Sequence, residues 1–391
     1  MPALDLRRVA VAAAGFCSFL DLYSTQALLP TIRAEFGIGE ALAAATISAT
    51  TLAVALVAPL VGHLADRLGR KRVIVAGAFL MSVPTALAAF AGDIGQLILW
   101  RFAQGLFLPA VFSVTTAHIG EEWPSSDATK MIGLHMAGMV AGGFCGRYVT
   151  ALVAAAVGWR LSFPVLAAFN LAGAVAIVLW LPRDHTPSVR PAFLPGGGGA
   201  LLGHLHNSAL MATCAIGFCL LFCMVAVFTY MNFLLAAEPF HFGPVALGNI
   251  FIVSLLGIPA AALGVPLLRR FSRRAVIAGA TTVTCTGLLC TLAGNLPMIL
   301  LGLCLFCFGQ LMSQPIALGH VGQLVRGGRA MAVGLYVSCY YIGGSAGGVL
   351  PAAIWSRFGW PGCVALVLAV EATVVVLALM AWKPRSEGVI A

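Results

Sequence analysis

Three charged residues interrupt long apolar runs in this chain: Asp21, Arg101 and Arg147. A charge near the centre of a bilayer costs about 2.5–3.5 kcal/mol on insertion scales, so residues of this kind mark sites of function. A carboxyl so placed can take up and release a proton. A guanidinium can hold that carboxylate, or an anionic solute. Gln104 follows Arg101 by three residues, so the two share one helix face beside Gly105. That pairing suits a proton relay or a gate. Glu371 is a further buried acid, in the last apolar run, where a local structural partner is expected.

The elements that must position these groups are membrane helices. The chain is 61% hydrophobic and only 9% charged, with a mean hydropathy of +1.00. A soluble protein would carry roughly 25% charged residues. Spans need about 20 apolar residues each. Twelve candidates fit: 9–30, 42–62, 73–91, 95–118, 130–155, 160–181, 208–234, 244–268, 275–293, 297–319, 330–355 and 360–382. Helices or closed barrels alone satisfy their backbone in lipid, and strand-like alternation is absent, so an all-α integral membrane fold is expected. Asp21 then lies about twelve residues into span one, and Arg101 about six into span four, roughly 9 Å from its edge at 1.5 Å per residue. Arg147 lies about seventeen residues into span five.

With the N-terminus in the cytoplasm, 17 of the 22 Lys and Arg fall on cytoplasmic segments, 3 outside and 2 within spans. That asymmetry places both termini inside and supports an even number of spans. The net charge of +9 is therefore a topology signal and not a nucleic-acid surface. Residues 1–8 read as a short cytoplasmic tail with no cleavage site. The eleven cysteines sit almost entirely in apolar runs and read as small apolar fillers, not disulfides or metal ligands. There is no phosphate-binding Gly-rich loop, no Gly-x-Ser-x-Gly and no metal-ligand spacing. The expectation is a non-enzymatic protein without a cofactor or metal.

The chain repeats itself. Gly133-Leu134, Gly142, Gly143, Gly146 and Gly158-Trp159 recur 201 residues later as Gly334-Leu335, Gly343, Gly344, Gly347 and Gly359-Trp360. Gly15-Phe16-Cys17 and His118-Ile119-Gly120 find counterparts at an offset of 202. A Pro- and Gly-rich stretch, 182–207, separates the copies and reads as a cytoplasmic linker. The expected units are an N-terminal six-helix bundle (1–181), the linker, and a C-terminal six-helix bundle (208–391). Internal duplication of this kind is a transporter feature, with the site at the interface between halves.

Between spans two and three lies the densest charge cluster, Gly62-His63-Leu64-Ala65-Asp66-Arg67-Leu68-Gly69-Arg70-Lys71-Arg72. It is read as a charged loop in cytoplasmic water. Gly62, Leu64, Asp66, Arg67, Gly69, Arg70 and Lys71 resemble the signature loop of the major facilitator superfamily, close to G-x-L-a-D-r-x-G-r-k. A degraded copy follows span eight, with Arg269 in place of the acid and Ser272 in place of the second glycine. Arg101-x-x-Gln104-Gly105 is similar to a motif of proton-coupled members. Gly133, Gly138, Gly142, Gly143 and Gly146 are similar to the glycine-rich motif of the antiporters, without its Gly-Pro. Leu20-Asp21-Leu22-Tyr23, Gln26 to Pro30 and Tyr340-Tyr341-Ile342-Gly343-Gly344 look most like the sugar-efflux-like and drug:proton antiporter-type exporters of the inner membrane.

The resemblance implies twelve helices in two pseudo-symmetric bundles working by alternating access. It places spans one, four and five in one bundle, so Asp21 is expected to pair with Arg101, Arg147 or both. Burial disfavours the carboxylate and a neighbouring guanidinium favours it. Two arginines against one acid leave a positive excess suited to an anionic substrate. Gly138, Gly142, Gly143 and Gly146 permit close helix approach. Asp66 is expected to meet the N-terminus of span eleven as an inner gate. Cavity candidates are Tyr23, Gln26, Gln104 and His135 in the first half. Those of the second half are Tyr230, Asn232, Gln310, Gln314, Tyr336 and Tyr340. His118 and His320 fall at helix ends where solvent is expected to reach them.

The expected function is proton-driven export of a small molecule by a monomeric, multi-pass protein of the bacterial inner membrane. The alternative is proton-coupled uptake of a small organic anion. A non-transporting membrane sensor is the remote one.

Overall fold

The computed structural model describes residues 5–184, 203–325 and 328–382. Among these the chain is helix, 3-10 turn and short connection, with no strand. Most of the expected linker, and the C-terminal basic residues Lys383 and Arg385, lie outside the described residues.

Among the described residues, ten helices are long and apolar enough to cross a membrane. They are span two (Glu40–Leu68), three (Arg70–Leu87), four (Ile94–Glu122), five (Ser125–Val157), six (Ser162–Trp180), seven (Ser208–Ala236), eight (in two pieces, Pro244–Ile250 and Gly257–Arg270), nine (Arg273–Cys290), ten (Leu296–Leu324) and twelve (Ala352–Ala381). The two other expected spans are present as helix and depart from that pattern for physical reasons. Span eleven, Arg329–Val349, is diluted by Gly334, Gly343, Gly344, Gly347 and Gly348. Span one is broken. Its helix Leu6–Leu20 stops, residues 21–25 form turns, and helix resumes through Gln26–Leu28 into Leu29–Phe36. Irregular backbone at membrane depth is tolerated where protein buries it, and here residues 21–29 are all buried.

Glycines set the close pairings, and they do so twice. On span five, a Cβ at Gly138, Gly142 or Gly146 would collide with the span-one carbonyls of Ala12, Phe16 and Leu20. On span eleven, Gly343 and Gly347 meet the span-seven carbonyls of Phe218 and Phe222 in the same way. Gly143 does not pack backbone to backbone; it faces Arg147 and Phe19. The repeated glycine face is thus a device of each half for packing its first helix on its fifth.

The charged stretch 62–72 is not an extended loop. Span two continues as helix to Leu68 and span three restarts at Arg70, so the connection is Gly69 alone. Its φ of +93° is a conformation that side chains resist, and a Cβ there would sit 2.9 Å from Asp184 Oδ2.

The halves meet along spans two and eleven. Ser48 Oγ donates to Ser345 O (2.7 Å), Ser338 Oγ donates to Ala55 O (2.8 Å), and Gly334 lies against Pro59. At the end away from the signature residues, span one also meets span seven, and span five meets span eight through Gly248 and Ala151. An apolar cluster containing Tyr23, Phe112, Phe222, Phe251 and Tyr341 fills the seam.

Candidate functional site

The break in span one organises the polar interior. A helix that stops in lipid leaves carbonyls without donors. Arg101 supplies them. Its Nη1 donates to Asp21 O (2.8 Å), its Nη2 to Leu22 O (2.9 Å), and its Nε to Thr46 O on span two (3.1 Å). Nη1 also reaches Ser24 Oγ (3.1 Å) and Gln104 Oε1 (2.6 Å). A planar guanidinium with five fixed donors suits this task, and the positive charge lies where the carbonyl ends of the Leu6–Leu20 helix point.

The expected Asp21–Arg101 ion pair is not formed; Arg101 holds the main chain of Asp21, not its carboxyl. The carboxyl faces spans three and six instead. Asp21 Oδ2 accepts from Asn170 Nδ2 (2.7 Å) and Thr85 Oγ1 (2.8 Å). Thr85 Oγ1 accepts from Gln104 Nε2 (2.8 Å), so a chain runs Arg101, Gln104, Thr85, Asp21. The Thr85 hydroxyl also lies 2.8 Å from Met81 O. It has one proton to give. Given to Asp21, it serves a carboxylate; given to Met81 O, it leaves an acceptor for a protonated Asp21. Asp21 Oδ1 is fully buried and has no partner among the described residues.

Arg147 is remote from that carboxyl. Its guanidinium lies between the rings of Tyr23 and Phe251, 4.6 Å from each centroid. Nε donates to Gln26 Oε1 (2.9 Å) and Nη1 to Gly143 O (2.6 Å). It is buried, and no carboxylate stands within ion-pair distance among the described residues. Tyr23 and Gln26 belong to the first half and Phe251 to the second. Gln26 continues across the seam: its Nε2 donates to Thr229 Oγ1 (3.4 Å), and its carbonyl accepts from Asn232 Nδ2 (3.1 Å).

The signature residues form a clasp inside the first half. Arg70 bridges Asp66 (3.4 Å) and Glu121 at the end of span four (2.7 Å). Lys71 Nζ donates to Val178 O near the end of span six (3.0 Å) and to Leu181 O just past it (2.5 Å). Asp184 accepts from Lys71 N (3.2 Å) and lies 3.2 Å from His118 Nδ1. Asp66 is engaged by Arg70, and no hydrogen bond or ion pair to span eleven is present among the described residues. Gly62 and Arg67 lie on the exposed end of span two. His118 and His320 are buried and not solvated: His118 against Asp184, and His320 beside the Trp382 ring, 4.6 Å away.

The remaining candidates divide. Gln26, Tyr23 and Asn232 meet at the seam. His135 ties span five to Val11 O and Phe112 O within the first half (3.2 and 3.3 Å). Tyr230 donates to Gly348 O (2.9 Å) and packs on Trp355. Tyr336 stacks on Tyr340, and Tyr340 meets Tyr341 edge-on. Gln314 is half-buried. Gln310 donates to Glu371 Oε1 (2.7 Å). Thr85, Asn170 and Phe251 lie in spans three, six and eight, which hold none of the cavity candidates expected from sequence. Thr229 and Tyr341 lie in spans seven and eleven beside the candidates Tyr230 and Tyr340, and the Tyr341 ring meets Phe112 of the other half (6.1 Å).

A family model described as Major Facilitator Superfamily matches residues 11–269 and 233–390. The uncharacterized MFS-type transporter YybF of Bacillus subtilis (strain 168) is 29% identical over 355 residues, covering 91% of this chain and 88% of that protein. The inner membrane transport protein YnfM of Escherichia coli (strain K12) is 28% identical over 374 residues, covering 95% and 88%. Among solved structures, a point mutant of the nucleoside transporter NupG superposes with a TM-score of 0.76 at 14% identity, covering 96% of this chain and all of that one.

Proposed function

The chain belongs to the major facilitator superfamily, and from that premise we propose that it is a proton-coupled secondary transporter in which Asp21 carries the proton. The broken turn of span one supports this reading. Asp21 stands at the start of that turn and Gln26 at its end, where Gln26 bonds to the second half. A proton gained at Asp21 changes where the Thr85 hydroxyl donates, and with it the Thr85–Gln104–Arg101 chain. Arg101 holds the carbonyls of Asp21 and Leu22. The turn therefore joins the protonation state to the contact between halves.

The polar bonds crossing the seam lie from the Gln26 end down to Ser338 and Ala55. We take the signature end as cytoplasmic, on the count of basic residues, in a bacterial inner membrane with both termini inside. This conformation is then closed to the outside. Alternating access requires Gln26, Asn232 and Thr229 to part as the halves rock. The direction we propose is export by a monomer, on the resemblance of the span-five glycines to those of antiporters.

A second reading, proton-coupled uptake of a small organic anion, is favoured by Arg147. An unpaired guanidinium buried between two rings at the seam suits a carboxylate carried on a flat apolar body. In either direction Arg147 is the anchor we assign to an anionic cargo. Inside-out vesicles with an imposed proton gradient test the reading. Benzoate, a neutral sugar and a cationic dye are added in turn while internal pH is followed. Proton movement on adding benzoate, abolished by Asp21→Asn, is expected. Full proton movement in that variant would overturn the reading, and the sign of the pH change assigns direction.

A further inference from the structure

The second half holds a buried acid of its own. Glu371, on span twelve, is 1% exposed. Its Oε1 accepts from Gln310 Nε2 of span ten (2.7 Å). Cys219 and Cys223 of span seven and Thr281 and Cys285 of span nine also face it, and the Thr281 hydroxyl stays outside hydrogen-bond geometry. No Lys, Arg or His stands within ion-pair distance of it among the described residues.

Its position is related to that of Asp21 by the internal repeat. Cys223 follows Asp21 by 202 residues, and Glu371 follows Asn170 by 201, the same offsets that relate the glycine motifs. In the first half the acid is on the first helix and faces an amide on the sixth. In the second half the acid occupies the amide's place on the sixth helix, and a thiol occupies the place of Asp21. Each half therefore keeps one buried carboxyl in the same first-to-sixth-helix contact, on opposite sides of it. A static tie from Gln310 would need only a carbonyl oxygen, which an amide supplies, as Gln26 and Gln104 do elsewhere in this interior. What a carboxyl adds is a proton that can be exchanged.

We propose that Glu371 is a second proton-exchanging site, the pseudo-symmetric counterpart of Asp21. It lets each half bind one proton. The inference rests on the transporter reading above but not on Asp21 being the coupling residue.

Infrared difference spectra of the full chain in nanodiscs, between mildly acidic and mildly alkaline buffer, read buried carboxyls by the C=O band of the protonated form. Two pH-dependent bands are expected, one removed by Asp21→Asn and the other by Glu371→Gln. Gln310→Met leaves the acid in place, removes its donor, and should shift only the second band. A spectrum unchanged by Glu371→Gln, or a second band unmoved by Gln310→Met, would overturn the proposal. Loss of the Asp21 band alone from the expected pair would sink the Asp21 reading and leave this one standing.

Discussion

Arg101 and Arg147 look alike in sequence, and the structure gives them different work. Arg101 spends its donors on the carbonyls of a broken helix and on Gln104. Lysine has the charge without the fork. Arg101→Lys is expected to lower thermal stability and transport together, measured by melting in detergent and by vesicle flux. Among the described residues, Arg147 has Gln26 and Gly143 O as hydrogen-bond partners, with a ring on each face. Arg147→Gln should weaken binding of a carboxylate probe by about 10–100-fold, the worth of one charge-assisted contact at about 1.5–3 kcal/mol. A neutral probe should be unaffected. Equal weakening of both would show that the residue is structural. The sequence marked both arginines because a charge in an apolar run is conspicuous. Thr85 and Asn170 were hidden, since a small polar residue in a membrane helix usually bonds within its own helix, as the Thr85 hydroxyl can to Met81 O.

At the scale of elements, apolar run length located the spans because lipid demands about 20 residues of helix. The break in span one was not visible, since residues 21–25 contain neither glycine nor proline. What stops the helix is tertiary: Arg101 offers the carbonyls of Asp21 and Leu22, and Thr85 and Asn170 offer the carboxyl, better partners than another helical turn would. The signature stretch reads as a loop in sequence because charge density looks like solvent exposure, whereas only Gly69 is non-helical there. The glycine faces predict a firm outcome. Gly142→Leu would drive a side chain into Phe16 O. Such overpacking costs about 1–3 kcal/mol or more, so expression and melting temperature should fall, with Gly143→Ala tolerated by the same assays. Asp66→Asn loosens Arg70, which Glu121 still holds. It should slow turnover while leaving probe affinity unchanged; altered affinity at normal turnover would remove the clasp from the cycle.

For the whole molecule, the repeat announced two halves, and the structure shows what was copied. The glycine packing of Gly142 and Gly146 is duplicated at Gly343 and Gly347, while Cys339 takes the place of Gly138. The buried arginines are not duplicated: the position 201 residues after Arg147 is Gly348, and the one 202 after Arg101 is Leu303. The fold keeps its symmetry where helices must touch and gives it up at the two buried arginines. Movement of the halves has its own test. Ser48→Cys with Ser345→Cys places two thiols across the seam next to an existing hydrogen bond. Oxidation should block transport and reductant should restore it, while either single variant is insensitive. Unimpeded transport in the oxidised double variant would mean that this part of the seam does not open.

The central claim is that the proton on Asp21 drives the solute. Its most direct measurement is benzoate flux in proteoliposomes at fixed membrane potential, with and without a pH gradient, for the unaltered chain and for Asp21→Asn. The gradient should accelerate net flux in the unaltered chain. In Asp21→Asn that acceleration should vanish, while gradient-independent exchange of labelled for unlabelled benzoate persists. Gradient-driven flux of undiminished size in Asp21→Asn would contradict the claim.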